Sequence, residues 1–182
     1  MREVYYHEDD YCQIELAAEA NGRWCAQQMG KIDEFSAAYK AEVGWTDIYV
    51  RSANPTPLTS LNISRSTFTA SMPSSMPCFD RVFTGYSSYR SECKSTIAFG
   101  PNDSLVAYAE FDDNDVISSV WFTLDLRSTD DVVIANDLAS GLSKWPVLLA
   151  DWGWSQLIRL TDTDRLTQYY RERVKVFGRD QT

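Results

Sequence analysis

Histidine occurs once in the 182 residues, at His7. Nucleophilic catalysis through an imidazole would have to use that side chain, which stands beside Glu8, Asp9 and Asp10 with no G-x-S-x-G turn anywhere in the chain. His7 therefore reads as a surface or edge histidine. The four cysteines, Cys12, Cys25, Cys78 and Cys93, form no C-x-x-C pair, so the expectation is buried free thiols in a reducing cytosol, with no disulfide and no metal site. No G-x-G-x-x-G, P-loop or H-E-x-x-H motif is present, and no cofactor is expected. No apolar run approaches the ~20 residues of a membrane span. The first residues, Met1 to Tyr6, open with charge and β-formers instead of an apolar signal core. A cytoplasmic protein is expected, without a membrane partner. No basic stripe interleaved with aromatics exists to hold nucleic acid, and no internal repeat is visible.

What the chain does have is size, apolar content and acid. A chain of 182 residues buries about 70% of its unfolded surface, enough for a core that needs no staple. Apolar residues make up 44%, ordinary for a globular domain. The formal net charge is −9, and it is unevenly spread. Between Asp103 and Asp137 nine acids face Arg127 alone, and residues 1–47 hold ten acids and four bases, whereas residues 48–102 carry an excess of three positive charges. Such a field repels nucleic acid and anionic lipid and attracts a basic partner; solubility alone would also account for it.

The strongest structural signal runs from Lys94 to Leu126. Ser95 to Phe99 and Leu105 to Phe111 read as strands joined by a turn at Gly100 to Ser104. Asp112 to Asp115 form a polar reversal into a long strand from Val116 to Leu126. On that strand Val120, Phe122, Leu124 and Leu126 share one face, and Ser119, Trp121, Thr123 and Asp125 the other. Asp112 to Asp115 lack the glycine and the final glutamate of a calcium loop, and a hairpin turn explains them better.

Upstream, Val4 to Leu16 reads as strand material broken at His7 to Asp10. A helix opens at Asn21 or Gly22, with Trp24, Cys25, Met29, Ile32, Phe35, Tyr39 and Val43 in one stripe and Gly44 as its stop. Trp45 to Arg51 reads as another strand. Residues 52–90, rich in proline and serine, form an irregular stretch with a strand or short helix between Leu58 and Phe68. Downstream, Ser128 or Thr129 caps a helix, with Asp130 and Asp131 in its first turn, Asp131 three residues past Ser128 in the manner of a capping box, and Val132, Ala135, Leu138, Ala139 and Leu142 buried. Val147 to Leu160 is strongly β, interrupted by a turn or bulge at Gly153. Asp162 caps a last helix lined by Leu166, Tyr169, Tyr170, Val174 and Phe177, with Arg171, Arg173, Lys175 and Arg179 suiting its C-terminal dipole. The expected fold is α+β, a single domain over residues 1–182: a mainly antiparallel sheet of about five to seven strands packed by three helices.

Three acidic groups are the candidate partner-binding residues: Glu8, Asp9 and Asp10; Asp112, Asp113 and Asp115; and Asp130 and Asp131. Trp121, a large ring on an otherwise polar strand face, is the candidate anchor. No catalytic residue is assigned. The run VYYHEDDYCQIEL from Val4 to Leu16 resembles the N-termini of bacterial immunity proteins that neutralise polymorphic or contact-dependent growth inhibition toxins. The run LLADWGW from Leu148 to Trp154, followed by Leu157 to Leu160 and a helix, is similar to a later segment of that group. Both lie toward the ends of the chain, and Ser52 to Lys94 match nothing in the group. The resemblance implies a non-enzymatic inhibitor that occludes the C-terminal domain of its cognate toxin, a basic partner, with a charged surface. The alternatives are an acidic adaptor of unrelated biology and a small hydrolase using aspartate or glutamate.

Overall fold

The computed structural model describes residues 1–41, 47–86 and 89–178, and these form two sheets and four α-helices, an α+β fold. In chain order come β1 (Glu3–His7), a 3-10 turn (Glu8–Asp10), β2 (Ile14–Ala18) and α1 (Gly22–Tyr39). A 3-10 turn (Glu19–Asn21) leads into α1, and another (Leu58–Leu61) and a short α2 (Arg65–Thr69) precede β3 (Arg81–Gly85) and β4 (Ser91–Glu92). Then follow β5 (Thr96–Phe99), β6 (Leu105–Phe111), β7 (Ile117–Leu124), α3 (Thr129–Leu142), β8 (Val147–Asp151), β9 (Gln156–Arg159) and α4 (Thr163–Phe177).

The main sheet has the order β5-β6-β7-β2-β8-β9, with every neighbouring pair antiparallel. The β6–β7 hairpin forms where the alternation places it, turning at Asp112 to Asp115. The Asp112 carboxylate accepts from the Asn114 and Val116 amides, at 2.9 and 3.0 Å, which fixes the reversal. Asp115 takes a φ of 58°, a left-handed conformation that aspartate tolerates better than most residues.

One face of this sheet carries Val120, Phe122 and Leu124. They pack with Val132, Ala135, Leu138, Ala139 and Leu142 of α3 and Leu166, Tyr169 and Tyr170 of α4, with Leu58 and Phe68 closing the same core. The stripe expected for α3 is the buried one. Its capping box is complete: the Asp131 amide donates to Ser128 Oγ, and the Asp131 carboxylate accepts from the Ser128 and Arg127 amides.

The other face is covered twice. Over β2 and β8, Cys25 and Met29 of α1 close on Ala17, Ala150 and Trp152. Over β5, β6 and β7 lies a second sheet, ordered β1-β3-β4, in which β1 runs parallel to β3. Its Val4, Tyr6 and Val82 pack on Ala98, Val106, Tyr108 and Trp121.

That second sheet corrects the reading of Trp121. The residue is 1% exposed, stacked on Tyr108 at 5.3 Å and met edge-on by Tyr6 and Tyr11 at 5.3 and 4.8 Å. Its ring is therefore not presented at the surface as an anchor. The pairing that hides it joins Val4 to Val82, and a contact so distant along the chain leaves no trace in the local alternation around Trp121.

Other departures have local causes. α1 ends at Tyr39, before Val43 and Gly44, which lie outside the described residues. Trp45 and Thr46 lie outside them too, and residues 47–51 join no sheet. The two-residue alternation is nonetheless present there, because Ile48 and Val50 are 83% exposed while Tyr49 donates to Gln28 Oε1 and Arg51 to Glu15 Oε1, both at 2.9 Å. Side chains, not a strand ladder, hold this segment. The stretch expected to be irregular contains β3, the central strand of the second sheet. Cys12 and Cys25 are buried, but Cys78 is exposed and Cys93 half-buried; all four are free thiols. The glycine at 153 belongs to a turn joining β8 to β9 as a hairpin, not to a bulge. Among the described residues no helix is long and apolar enough to cross a membrane.

Candidate functional site

The acids expected to form one negative face separate into two groups. Asp112, Asp113 and Asp115 sit at the tip of the β6–β7 hairpin. Six residue steps of β6 put that tip about 20 Å from the end where Leu105 pairs with Leu124. At the tip Asp112 is engaged by its own turn, and Asp115 lies 3.4 Å from Arg65, leaving less free charge than the sequence promises. At the opposite end Asp10 and Asp125 line one cavity, and the Asp125 amide donates to the Ser104 carbonyl at 2.8 Å, which brings the turn carrying Asp103 alongside. Asp130 is exposed in the first turn of α3, five residues beyond Asp125, whereas Asp131 is occupied as a cap. Glu8 is exposed, and Asp9 folds back on His7 Nδ1, its amide 3.3 Å and its carboxylate 3.4 Å away. Between the two ends Tyr11 donates to Glu110 at 3.1 Å, so residues 8–11 lie across the β6–β7 hairpin.

The backbone explains why Asp10 arrives beside Asp125. After the 3-10 turn the chain reverses at Cys12, whose φ of 54° is left-handed, and enters β2. β2 pairs fully with β8 but meets β7 at one position only, Glu15 opposite Trp121. Beyond that pair the strands part. A cavity of about 300 Å³ opens there, with Asp10, Gln13, Thr123, Asp125 and Trp154 among its walls and Asp151 and Arg173 also lining it.

Arg173 supplies what the missing strand pairing leaves open. Its Nε donates to the Leu124 carbonyl at 2.7 Å, and Nη1 donates to Asp151 Oδ2 at 2.8 Å and to Tyr169 Oη at 3.2 Å. Tyr169 in turn donates to the same Asp151 oxygen at 2.7 Å, and the Trp154 amide donates to the other at 3.0 Å. The side chains of Arg173 and Asp151 are 6% and 3% exposed. The guanidinium also lies 4.8 Å from the Trp154 ring centre and 5.0 Å from that of Phe177. Arg173 thus does not serve the helix dipole, as its place among the C-terminal cations implied; it bridges α4 to both separated strands.

Electrostatics follow from this geometry. Three carboxylates and one guanidinium line the cavity, and the Asp151–Arg173 pair is internally neutral, so Asp10 and Asp125 leave it negative. Burial raises the Asp125 carboxyl above the usual carboxylate range; Arg173 and Arg127 oppose that shift, while Asp10 and Asp103 reinforce it. Burial likewise pushes the Tyr108 phenol up to about 12, with the same two aspartates and Asp125 contributing. The Trp121 indole N–H is buried without a hydrogen-bond partner among the described residues, an orphan that costs about 1–3 kcal/mol, whereas the buried Tyr108 hydroxyl has the Thr123 side chain beside it.

A further buried cluster fixes residues 47–51. Glu15 Oε1 accepts from Trp152 Nε1 at 2.8 Å and from Arg51 at 2.9 Å, and the Arg51 guanidinium stacks 4.1 Å from the centre of the Trp152 ring. Its groups saturate one another and serve structure.

Sequence reasoning placed Asp10 among the site residues but passed over Asp125, Asp151 and Arg173. Two signals were available. Asp151 ends the apolar run Val147 to Ala150, and Arg173 falls at helical spacing within the stripe of Leu166, Tyr169, Tyr170 and Phe177. Charges in those places face inward and need a partner. Among the described residues no group of three or more histidine, cysteine, aspartate or glutamate side chains could hold a metal ion. No family model matches the chain, and no curated protein or solved structure matches it.

Proposed function

We propose that this protein is an immunity protein that binds and neutralises a basic toxin domain by occlusion, as the resemblance of its two ends to that group implies. The observation that supports this reading best is the placement of Asp10 and Asp125 in one cavity at one end of the main sheet, beside the turn that carries Asp103. The elements that carry them are held by a complete capping box, a saturated buried ion pair and a double-layered core. A rigid negative surface steers a basic partner by long-range attraction, raising association rates by about 10- to 1000-fold at low salt. It also holds its shape in the complex, so little ordering entropy opposes binding. The contact surface is then the Asp10–Asp125 end, with the hairpin tip contributing mainly long-range field through Asp113.

The test is protection and complex formation with the C-terminal domain encoded by the gene immediately upstream. Co-expression rescues growth, and the two proteins co-purify at low salt. Unimpaired killing despite a stable, expressed protein refutes the proposal.

The cavity favours a second reading, a small carboxylate-dependent hydrolase that would use Asp10 and Asp125, the two carboxylates of its lining not already paired with Arg173. Turnover of any substrate that is abolished by both Asp10→Asn and Asp125→Asn would establish it. An acidic adaptor of other biology would instead bind its partner without protecting any cell.

A further inference from the structure

We infer that the cavity between α1 and residues 47–51 seats a large apolar side chain of the partner, flanked by a basic residue; this rests on the reading of the protein as a binder of a basic domain. The cavity measures about 550 Å³, well inside the range of ligand sites, about 300–1,000 Å³. Ile32 and Phe35 of α1, Ile48 and Tyr49 of the segment, and Trp152 of the β8–β9 turn give it an apolar, largely aromatic wall. That wall is built before any partner arrives. The Tyr49 hydroxyl donates to Gln28 Oε1, its ring lies 5.5 Å from that of Phe35, and the Arg51 guanidinium stacks on Trp152 while it pairs with Glu15. The Ser155 hydroxyl donates to Asp33 Oδ1 at 2.7 Å, tying the β8–β9 turn to α1. An occupant therefore meets fixed walls, and little ordering entropy opposes it.

Charge selects the neighbour of that side chain. Arg51 is the one cation in the wall among the described residues, and Glu15 already neutralises it. Asp33 and Asp47, both exposed, keep their charge, so the mouth of the cavity is negative. An acidic segment is repelled there, and so is a second copy of this chain, which carries a net charge of −9. An apolar side chain beside a lysine or arginine suits both parts. Its ring or branched carbons displace water from the aromatic wall, while the cation stays at the hydrated mouth with the carboxylates.

Two further observations point to the same occupant. Ile48 is 83% exposed where it joins Phe35 and Tyr49 in the wall, so a contiguous apolar surface is left open to water. Gln13 and Gly153 line both this cavity and the one beside Asp10 and Asp125. The two openings share a wall, and a basic domain drawn to the acidic end lies over the aromatic cavity as well. Charge at the first governs encounter; a desolvated anchor in the second governs how long the complex lasts.

The probe is the tripeptide acetyl-Lys-Trp-Lys-amide, titrated to millimolar concentration into the full-length isotope-labelled protein and followed by NMR, with acetyl-Glu-Trp-Glu-amide as the control. Saturable shifts are expected at the Ile32, Ser36 and Ile48 amides and the Trp152 indole with the basic peptide, and none with the acidic one. Shifts on another surface, an absence of saturable shifts, or an equal response to the acidic peptide overturn the inference. Binding kinetics with the C-terminal domain encoded by the gene immediately upstream then test the anchor itself. Ile48→Ser strips apolar surface from the wall and Ser36→Trp fills the cavity; each should weaken binding at least about tenfold, through faster dissociation. Val50→Ser, equally exposed on the same segment but off the cavity wall, should leave affinity and rates unchanged, and an equal loss there refutes the anchor. Unchanged melting temperatures verify that all three variants are folded. If Ile48→Ser and Ser36→Trp bind that domain like the wild type, the anchor is refuted while the acidic-surface reading stands. Failure of the wild type to capture the domain at all, with the basic tripeptide still entering the cavity, refutes that partner instead and leaves the cavity's preference intact.

Discussion

Removing the Arg173 guanidinium should be among the most destabilising single changes in this protein. Arg173→Met keeps much of the volume and apolar stem but withdraws three hydrogen bonds: to Leu124 O, Asp151 Oδ2 and Tyr169 Oη. The Leu124 carbonyl, at the end of β7 where β2 no longer pairs with it, then loses its donor, which costs about 1–3 kcal/mol. Asp151, its side chain 3% exposed, becomes a buried carboxylate held only by Tyr169 and the Trp154 amide. Together these place the loss at about 3–5 kcal/mol, the range for breaking one side of a buried ion pair. For a chain of this size that is a fall in Tm of about 6–20 °C. Urea unfolding of Arg173→Met, Asp151→Asn and the double variant forms the assay. The double variant should lie at least about 1 kcal/mol above the sum of the singles, because each single leaves the other group stranded. A loss below about 1 kcal/mol for Arg173→Met, or strict additivity, would refute the claim that this pair holds the separated strands together.

Three further outcomes follow from the same structure. Asp125→Asn should raise Tm at neutral pH: burial raises the folded carboxyl above its unfolded value, so ionisation works against folding at high pH, and the advantage should fade as pH falls through the folded and then the unfolded range. Ser128→Ala should cost about 0.5–2 kcal/mol in urea unfolding, since it removes one arm of the α3 capping box. Trp121→Ala should cost about 3–5 kcal/mol, whereas Trp121→Phe, which removes an unpartnered buried N–H, should lose much less; equal losses would mean that the indole nitrogen is satisfied.

How much of this was legible beforehand divides along the range of the interactions. The β6–β7 hairpin, the α3 stripe with its capping box and the Asp162 cap of α4 are set by residues within a few positions of one another, and all three stand where the alternation and spacing put them. The second sheet is built by pairing β1 with β3, and nothing local in Arg81 to Gly85 marks it as the centre of a sheet. Without that sheet, the polar neighbours Ser119, Thr123 and Asp125 make Trp121 read as a surface ring. The acids were legible as charge but not as positions: Asp10 and Asp125 meet because β2 and β7 part beyond Glu15 and Trp121, which depends on the sheet order. Arg173 carried a readable signal, a cation inside an apolar stripe, that the dipole argument obscured.

The most direct test of the central claim is the rate of association with the basic domain that the proposal takes as partner, sought in the product of the gene immediately upstream and measured by stopped flow across ionic strength. Wild type should associate faster as salt falls, and the Asp10→Asn/Asp103→Asn/Asp125→Asn variant should be slower and less salt-dependent than Asp112→Asn/Asp113→Asn/Asp115→Asn, although both remove the same formal charge. Equal rates and equal salt dependence for wild type and both variants would contradict capture through an acidic end of the sheet.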